Sequence, residues 1–159
     1  GEYAVDESQF HEVAEGDTLE VGEFTVHVEF AHDPDSTHPV SYVFEHDSGT
    51  FFHGGDTKPH AEFDDLGRKY DIDLGALAFG AVGNIDDKET GEPVRTRWYS
   101  TETEVVKAAS NLRFDRLLPT HWDMWKGLTA DPTVLHHHTR SYDTPRSLEI
   151  AEIGDRVDL

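Results

Sequence analysis

Between residues 24 and 30 the side chains alternate in polarity: Phe24, Val26, Val28 and Phe30 interleave with Thr25, His27 and Glu29. That is the period of a β-strand with one buried face, and it predicts a strand over Phe24–Ala31. Val40–His46 and Thr50–His53 are further β-rich runs separated by Asp47-Ser48-Gly49, a combination that reads as a hairpin. The first third of the chain is therefore expected to be antiparallel β. A short apolar run, Ile72–Phe79, predicts a buried strand, preceded by a helix around His60–Tyr70 that follows Pro59. Thr101 and Glu104 have the spacing of a capping box, and Val105, Ala108, Ala109 and Leu112 then recur at helical spacing, predicting an amphipathic helix to about Arg113. A strand over Arg116–Thr120, a proline-opened helix over Pro132–Tyr142 and a last strand over Leu148–Ile153 complete the pattern. Strands and helices alternate through this part, as they do in layered α/β architectures.

At 159 residues without repeats, low-complexity tracts or linkers, residues 1–159 form one expected domain. The absence of cysteine excludes disulfides, thiolate zinc sites and cysteine nucleophiles, so histidine and carboxylate remain as candidate metal ligands. No apolar run approaches the roughly 18 residues of a membrane span, and the first residues lack the layout of a signal peptide. The expectation is a soluble, cytoplasmic protein without a membrane partner. The formal charge is −20, from 33 acidic against 13 basic residues. So few cations cannot assemble a basic face, which argues against a nucleic-acid partner. The acids interleave with apolar positions instead of forming blocks, and five lysines stand against eight arginines. An acidic shell on a folded domain suits a cytoplasm of very high salt, where screening removes most of the self-repulsion. The halophile hypothesis predicts a melting temperature that rises from low to molar KCl; a flat dependence contradicts it.

Three residues of ligand type each follow a β run directly: His32 after Phe24–Ala31, Asp56 after Thr50–His53 and Gly54-Gly55, and His121 after Arg116–Leu118 and Pro119-Thr120. A sheet edge holds such residues towards a cleft, and Gly54 and Gly55 let backbone pass close to a metal or substrate. Singly, each has a plain alternative. A histidine after a strand is more often a satisfied surface or core side chain, and Gly-Gly-Asp is usually a turn.

Order and wording add to this. His32-Asp33, then Pro39-Val40-Ser41-Tyr42-Val43-Phe44-Glu45, then Phe51-Phe52-His53-Gly54-Gly55-Asp56-Thr57, and later Leu117-Leu118-Pro119-Thr120-His121, resemble the second half of the metallo-β-lactamase superfamily. The segment His121-Trp122-Asp123-Met124-Trp125, with Ala130-Asp131-Pro132 downstream, is similar to its ascorbate-6-phosphate lactonase-like branch. The resemblance runs from about Val13 to Ser141. It implies an α/β fold equivalent to half of an αββα sandwich, a mixed sheet with helices on one face and its inner face exposed. It further implies metal ligation by His32, Asp56 and His121, with Asp56 bridging two divalent ions, zinc or manganese, and His38 a substitute for His32. In the intact family site the two metals activate a bridging water or hydroxide and polarise the substrate oxygen. The implied function is hydrolysis of a lactone or phosphorylated ester, on a small-molecule substrate.

The family's first-half signature, His-x-His-x-Asp-His, is nowhere in this chain. The expectation is accordingly an inactive C-terminal half: a truncated enzyme, one chain of a split enzyme completed by its missing N-terminal half, or a degenerate remnant; the alternative function is a non-catalytic binding or interaction module. The exposed sheet face then predicts self-association into a homo-oligomer or rearranged N-terminal strands. Among the remaining residues, Arg97, Lys126 and Arg140 are either anion contacts for a substrate or surface cations. Trp122 and Trp125 either wall a substrate pocket or belong to the core. Asp123 either orients His121 or faces solvent. Taken as a set, Arg97, Asp123, Trp125 and Lys126 are the candidate substrate contacts. His136-His137-His138 reads as a surface run, since adjacent helical residues point to different faces.

Overall fold

The computed structural model describes residues 6–159. Its centre is a seven-stranded mixed sheet in the order β1-β2-β3-β4-β5-β8-β9. Strands β1 (Thr18–Val21), β2 (Phe24–Phe30), β3 (Val40–His46) and β4 (Gly49–His53) form an antiparallel meander. After helix α1 (Phe63–Lys69), strand β5 (Leu74–Ala78) pairs parallel to β4. A separate hairpin of β6 (Val82–Asp86) and β7 (Pro93–Arg97) then leads into α2 (Glu102–Asn111). Strands β8 (Arg116–Thr120) and β9 (Ser147–Leu148), joined through α3 (Leu135–Thr139), extend the parallel side of the sheet.

The meander follows from alternation and turn chemistry. In the β3–β4 hairpin His46 pairs with Gly49, so Asp47-Ser48 is a two-residue turn, with Gly49 at φ 149°, a conformation that glycine alone adopts readily. The capping box of α2 forms as its sequence indicates. The Thr101 hydroxyl accepts from the Glu104 amide and the Glu104 carboxylate accepts from the Thr101 amide, satisfying two otherwise orphaned donors. Val105, Val106, Ala108 and Ala109 then turn inward.

All three helices contribute to one core on one face of the sheet. Phe63 and Leu66 from α1, Val105, Val106, Ala108 and Ala109 from α2 and Leu135 from α3 cluster with Val43, Phe52, Leu77 and Leu117 of the strands. Gly75 shows how tight this layer is. A Cβ there would collide with the ring of Phe114, which also packs on Phe52 at 5.4 Å between centroids. The opposite face carries Val26, Phe44, Phe51 and Leu74, which follow one another across the strand register. It lines an open apolar cleft of about 630 Å³.

Several expectations need correction. The apolar set of β2 is divided: Phe24, 39% exposed, and Val26 line the open cleft, Val28 is fully buried, and Phe30 packs against the helical core. Glu29 of the polar set turns to the end of α1 as well. Glu29, only 7% exposed, is held by Lys69 at 2.6 Å and by the Tyr70 hydroxyl, so the covered face tolerates a carboxylate because it is paired. Part of the exposed face is lined by the chain's own last residues, Val157 and Leu159, with Arg116 donating to the Asp158 carbonyl at 2.8 Å. The expected helix over Pro132–Tyr142 divides into a 3₁₀ turn, Pro132–Val134, and the five residues of α3, after which i→i+3 bonds from Ser141 and Tyr142 tighten the chain out of the helix. The expected strand Leu148–Ile153 is replaced by the two-residue β9, because its pairing ends after Glu149 bonds the Leu117 carbonyl. Helix α1 opens at Phe63, not near His60. Strand β1 and the β6–β7 hairpin were not anticipated.

Candidate metal centre

At the end of β4 the Gly54-Gly55-Asp56-Thr57 turn projects Asp56 from the sheet. Gly54 bonds the Ala76 carbonyl at 3.0 Å, and a side chain there would press on Thr57, Leu77 and that carbonyl. Gly55 takes φ 58°, the left-handed region that suits glycine. Thr57, 3% exposed, accepts from the His32 amide at 2.8 Å, and the Lys58 amide donates to the His32 carbonyl at 2.7 Å. The β2 end and the Asp56 turn are thereby stitched together.

His121 comes from the end of β8, the strand two places across. It adopts φ 64°, uncommon for a residue with a Cβ and a feature that concentrates at functional sites. Its Nδ1 lies 3.4 Å from Asp56 Oδ1, is fully buried, and has no hydrogen-bond partner. Burial holds the imidazole below its usual range; Asp56 opposes this and His53 adds to it. At neutral pH the ring is therefore uncharged, and its approach to Asp56 is not an ion pair.

Tyr99, 6% exposed, completes the arrangement and gave no signal in the sequence. Its hydroxyl donates to Asp56 Oδ2 at 3.2 Å, and its ring lies 4.7 Å from that of His121. Burial first, then Asp56 and Asp33, push the phenol up to about 12, so it remains a donor throughout the physiological range. One oxygen of Asp56 is thus occupied by Tyr99, while the other faces an imidazole nitrogen that lacks a partner.

The remaining sequence candidates separate. His32 lines a neighbouring cavity with Lys58, Arg97 and Tyr99, and its ring lies 5.0 Å from His60. His38 is exposed on the loop before β3. Arg97 ends β7 and forms a 3.5 Å ion pair with Glu102. Trp125, 46% exposed, lies 6.0 Å from Trp98 between ring centroids, whereas Trp122 packs against the main core. Asp123, Lys126 and Arg140 are exposed, and the carboxylate beside His121 is Asp56, not Asp123. His136 and His137 are exposed and His138 half-buried on α3.

As a metal site, the pair Asp56 and His121 fits at two donors: a carboxylate oxygen and an orphaned buried imidazole nitrogen are what a shared cation would satisfy. Among the described residues no group of three histidines or carboxylates is arranged to hold a metal ion. Zinc usually takes at least three protein ligands, so the pair amounts to half a coordination sphere.

Comparison with known proteins agrees with this class. A family model described as a beta-lactamase superfamily domain matches residues 2–122, and the chain belongs to that family. It is 31% identical over 103 residues to a metal-dependent hydrolase of Nitratidesulfovibrio vulgaris, covering 64% of this chain and 37% of that protein. It is 27% identical over 94 residues to a probable L-ascorbate-6-phosphate lactonase of Salmonella gallinarum, covering 58% of this chain and 23% of that protein. The chain thus matches about a third or less of these relatives' length. Among solved structures, a metallo hydrolase from the archaeon Ignicoccus hospitalis superposes with TM-score 0.71 at 18% identity, over 92% of this chain and 59% of that one. At that identity the likeness concerns the fold, a mixed α/β sheet with helices on one side.

Proposed function

We propose that the Asp56–His121 pair is part of a divalent-metal site, zinc or manganese, of a hydrolase acting on a lactone or a phosphorylated ester. The observation that carries this reading is the buried, partnerless Nδ1 of His121 3.4 Å from Asp56 Oδ1. The relatives named for metal-dependent hydrolysis and for lactone opening support the reaction class. A divalent ion bound there would supply Lewis-acid polarisation and a water of lowered pKa. The residues of the chain divide the remaining work. Asp56 supplies negative charge, Tyr99 fixes the orientation of that carboxylate by donating to its second oxygen, and the uncharged His121 presents an imidazole nitrogen from a backbone held rigid by β8. His32, anchored to the same turn through Thr57, is the third proposed ligand. Arg97 and Trp125, which line the adjoining cavities, are the proposed substrate contacts, together with Asp123 and Lys126 on the exposed loop after β8. The isolated chain is inactive in this reading, since the described residues supply too few donors in one place. The acidic surface supports placing the protein in a high-salt cytoplasm.

Zinc uptake by the dialysed chain, measured with and without Asp56→Asn, tests the reading. Uptake that depends on Asp56 supports it. The lack of a three-donor set among the described residues favours a second reading, a non-catalytic binding module, and uptake of no metal by either protein selects it.

A further inference from the structure

Cations are scarce in this chain, 13 in 159 residues, yet two of them converge beside the candidate metal centre. Lys58, two residues past Asp56, and Arg97, at the end of β7, line a cavity of about 420 Å³ together with His32, Trp98, Tyr99 and Glu104. Lys58 is half-buried, and among the described residues Lys69 is the lysine that forms an ion pair, so Lys58 has none. Arg97 has only the long contact of 3.5 Å to Glu102. The carboxylate of Glu104 is committed elsewhere, accepting from the Thr101 amide at 2.8 Å as part of the α2 cap. Its titration is held low first by that cap and then by Arg97 and Lys58, so the fields of both cations meet at this wall. The lining of this cavity thus sets two cations against one capped carboxylate, in a chain of charge −20. A half-buried ammonium without a counter-ion is costly to maintain unless something anionic visits it.

We infer that the cavity bounded by Lys58, Arg97, Trp98 and Tyr99 is a subsite for a compact oxyanion, phosphate or carboxylate, carried by a small ligand. The neighbouring cavity of about 470 Å³ shares Lys58, Trp98 and Tyr99 and is lined also by Asp33, Asp35, Asp56, Lys88 and Trp125, so these carboxylates gather on that side and not in the cavity that Arg97 lines. An anion seated on Lys58 and Arg97 therefore leaves the body of its carrier over the Trp98 and Trp125 rings and its far end beside Asp56. Guanidinium and ammonium groups suit this task differently, Arg97 by paired N–H donors and Lys58 as a point charge. That the carrier is the substrate rests on the hydrolase reading; anion binding itself does not.

The test is titration of the metal-stripped chain with inorganic phosphate, and separately with acetate, at constant ionic strength, followed by tryptophan fluorescence and amide NMR shifts. Saturable binding of at least one anion is expected, with shifts at Lys58, Trp98 and Tyr99. K58Q and R97Q each weaken it about tenfold or more, the loss of one charged hydrogen bond. K58R retains it, and K107Q, on the exposed side of α2, leaves it unchanged. Phosphate preferred over acetate points to a phosphorylated ligand, the reverse to a carboxylate. Shifts that never saturate, or equal responses in K58Q, R97Q and K107Q, overturn the subsite. A chain that takes up zinc but no oxyanion refutes this inference alone; one that binds the oxyanion but no zinc refutes only the metal reading.

Discussion

The two faces of the central sheet are made from the same strands but do different things. On the helical face, Val43, Phe52, Leu77 and Leu117 are essentially fully buried beneath α1, α2 and α3. On the other, Val26, Phe44, Phe51 and Leu74 line an open apolar cleft, closed in part by Val157 and Leu159. One face stabilises the chain; the other is apolar surface left short of a partner. The candidate site is at the strand ends, where Asp56 and His121 leave the sheet. The covered face holds these ends in place, and the adjoining cavities are shaped by loops.

This asymmetry predicts unequal costs for similar substitutions. Phe52→Ala removes a fully buried ring packed on Phe114 and should cost about 3–5 kcal/mol. Phe24→Ala, on the open face at 39% exposure, should cost about 1 kcal/mol or less. Urea unfolding of the two variants measures the difference, and equal losses would remove the distinction between the faces. Deleting residues 156–159 uncovers the cleft and should raise binding of an apolar dye while shifting the urea midpoint only slightly. Unchanged dye binding would show that the tail does not shield this face.

A smaller effect concerns the boundary between face and site. Tyr99 and Tyr70 are both pushed up to about 12. Burial leads for each, followed by Asp56 for Tyr99 and by the Glu29 hydrogen bond for Tyr70. A phenol whose folded pKa is raised contributes stability that is complete below its unfolded value of about 10 and is lost as pH rises through about 12. Ultraviolet titration should therefore show two tyrosines ionising late, one of which disappears in Tyr99→Phe. If no late phase is lost, Tyr99 is not held by Asp56 as described.

The signals that were legible in the sequence were local. Alternation marked β2, β-rich runs on either side of Asp47-Ser48-Gly49 marked the hairpin of β3 and β4, and Thr101 with Glu104 marked the start of α2. Strand-end position together with the family resemblance singled out His32, Asp56 and His121, of which the fold brings Asp56 and His121 to 3.4 Å. What escaped depends on tertiary contact. Alternation cannot say which side of β2 the helices cover, because Glu29 is buried through partners 40 and 41 residues away. Tyr99 matters through Asp56, 43 residues distant, and nothing in its neighbours reveals that. The exposed β6–β7 hairpin lacks apolar periodicity, with Asn84, Asp86 and Arg95 among its residues. His32 follows a strand as Asp56 and His121 do, yet its ring lies beside His60, since spacing along a chain does not fix the direction of a side chain at a loop.

The central claim is that Asp56 and His121 form a metal half-site, and the direct measurement is the metal content of the dialysed chain compared with His121→Ala. The account predicts zinc or manganese bound to the chain and lost from the variant. Equal metal in both proteins, or none in either, would contradict it.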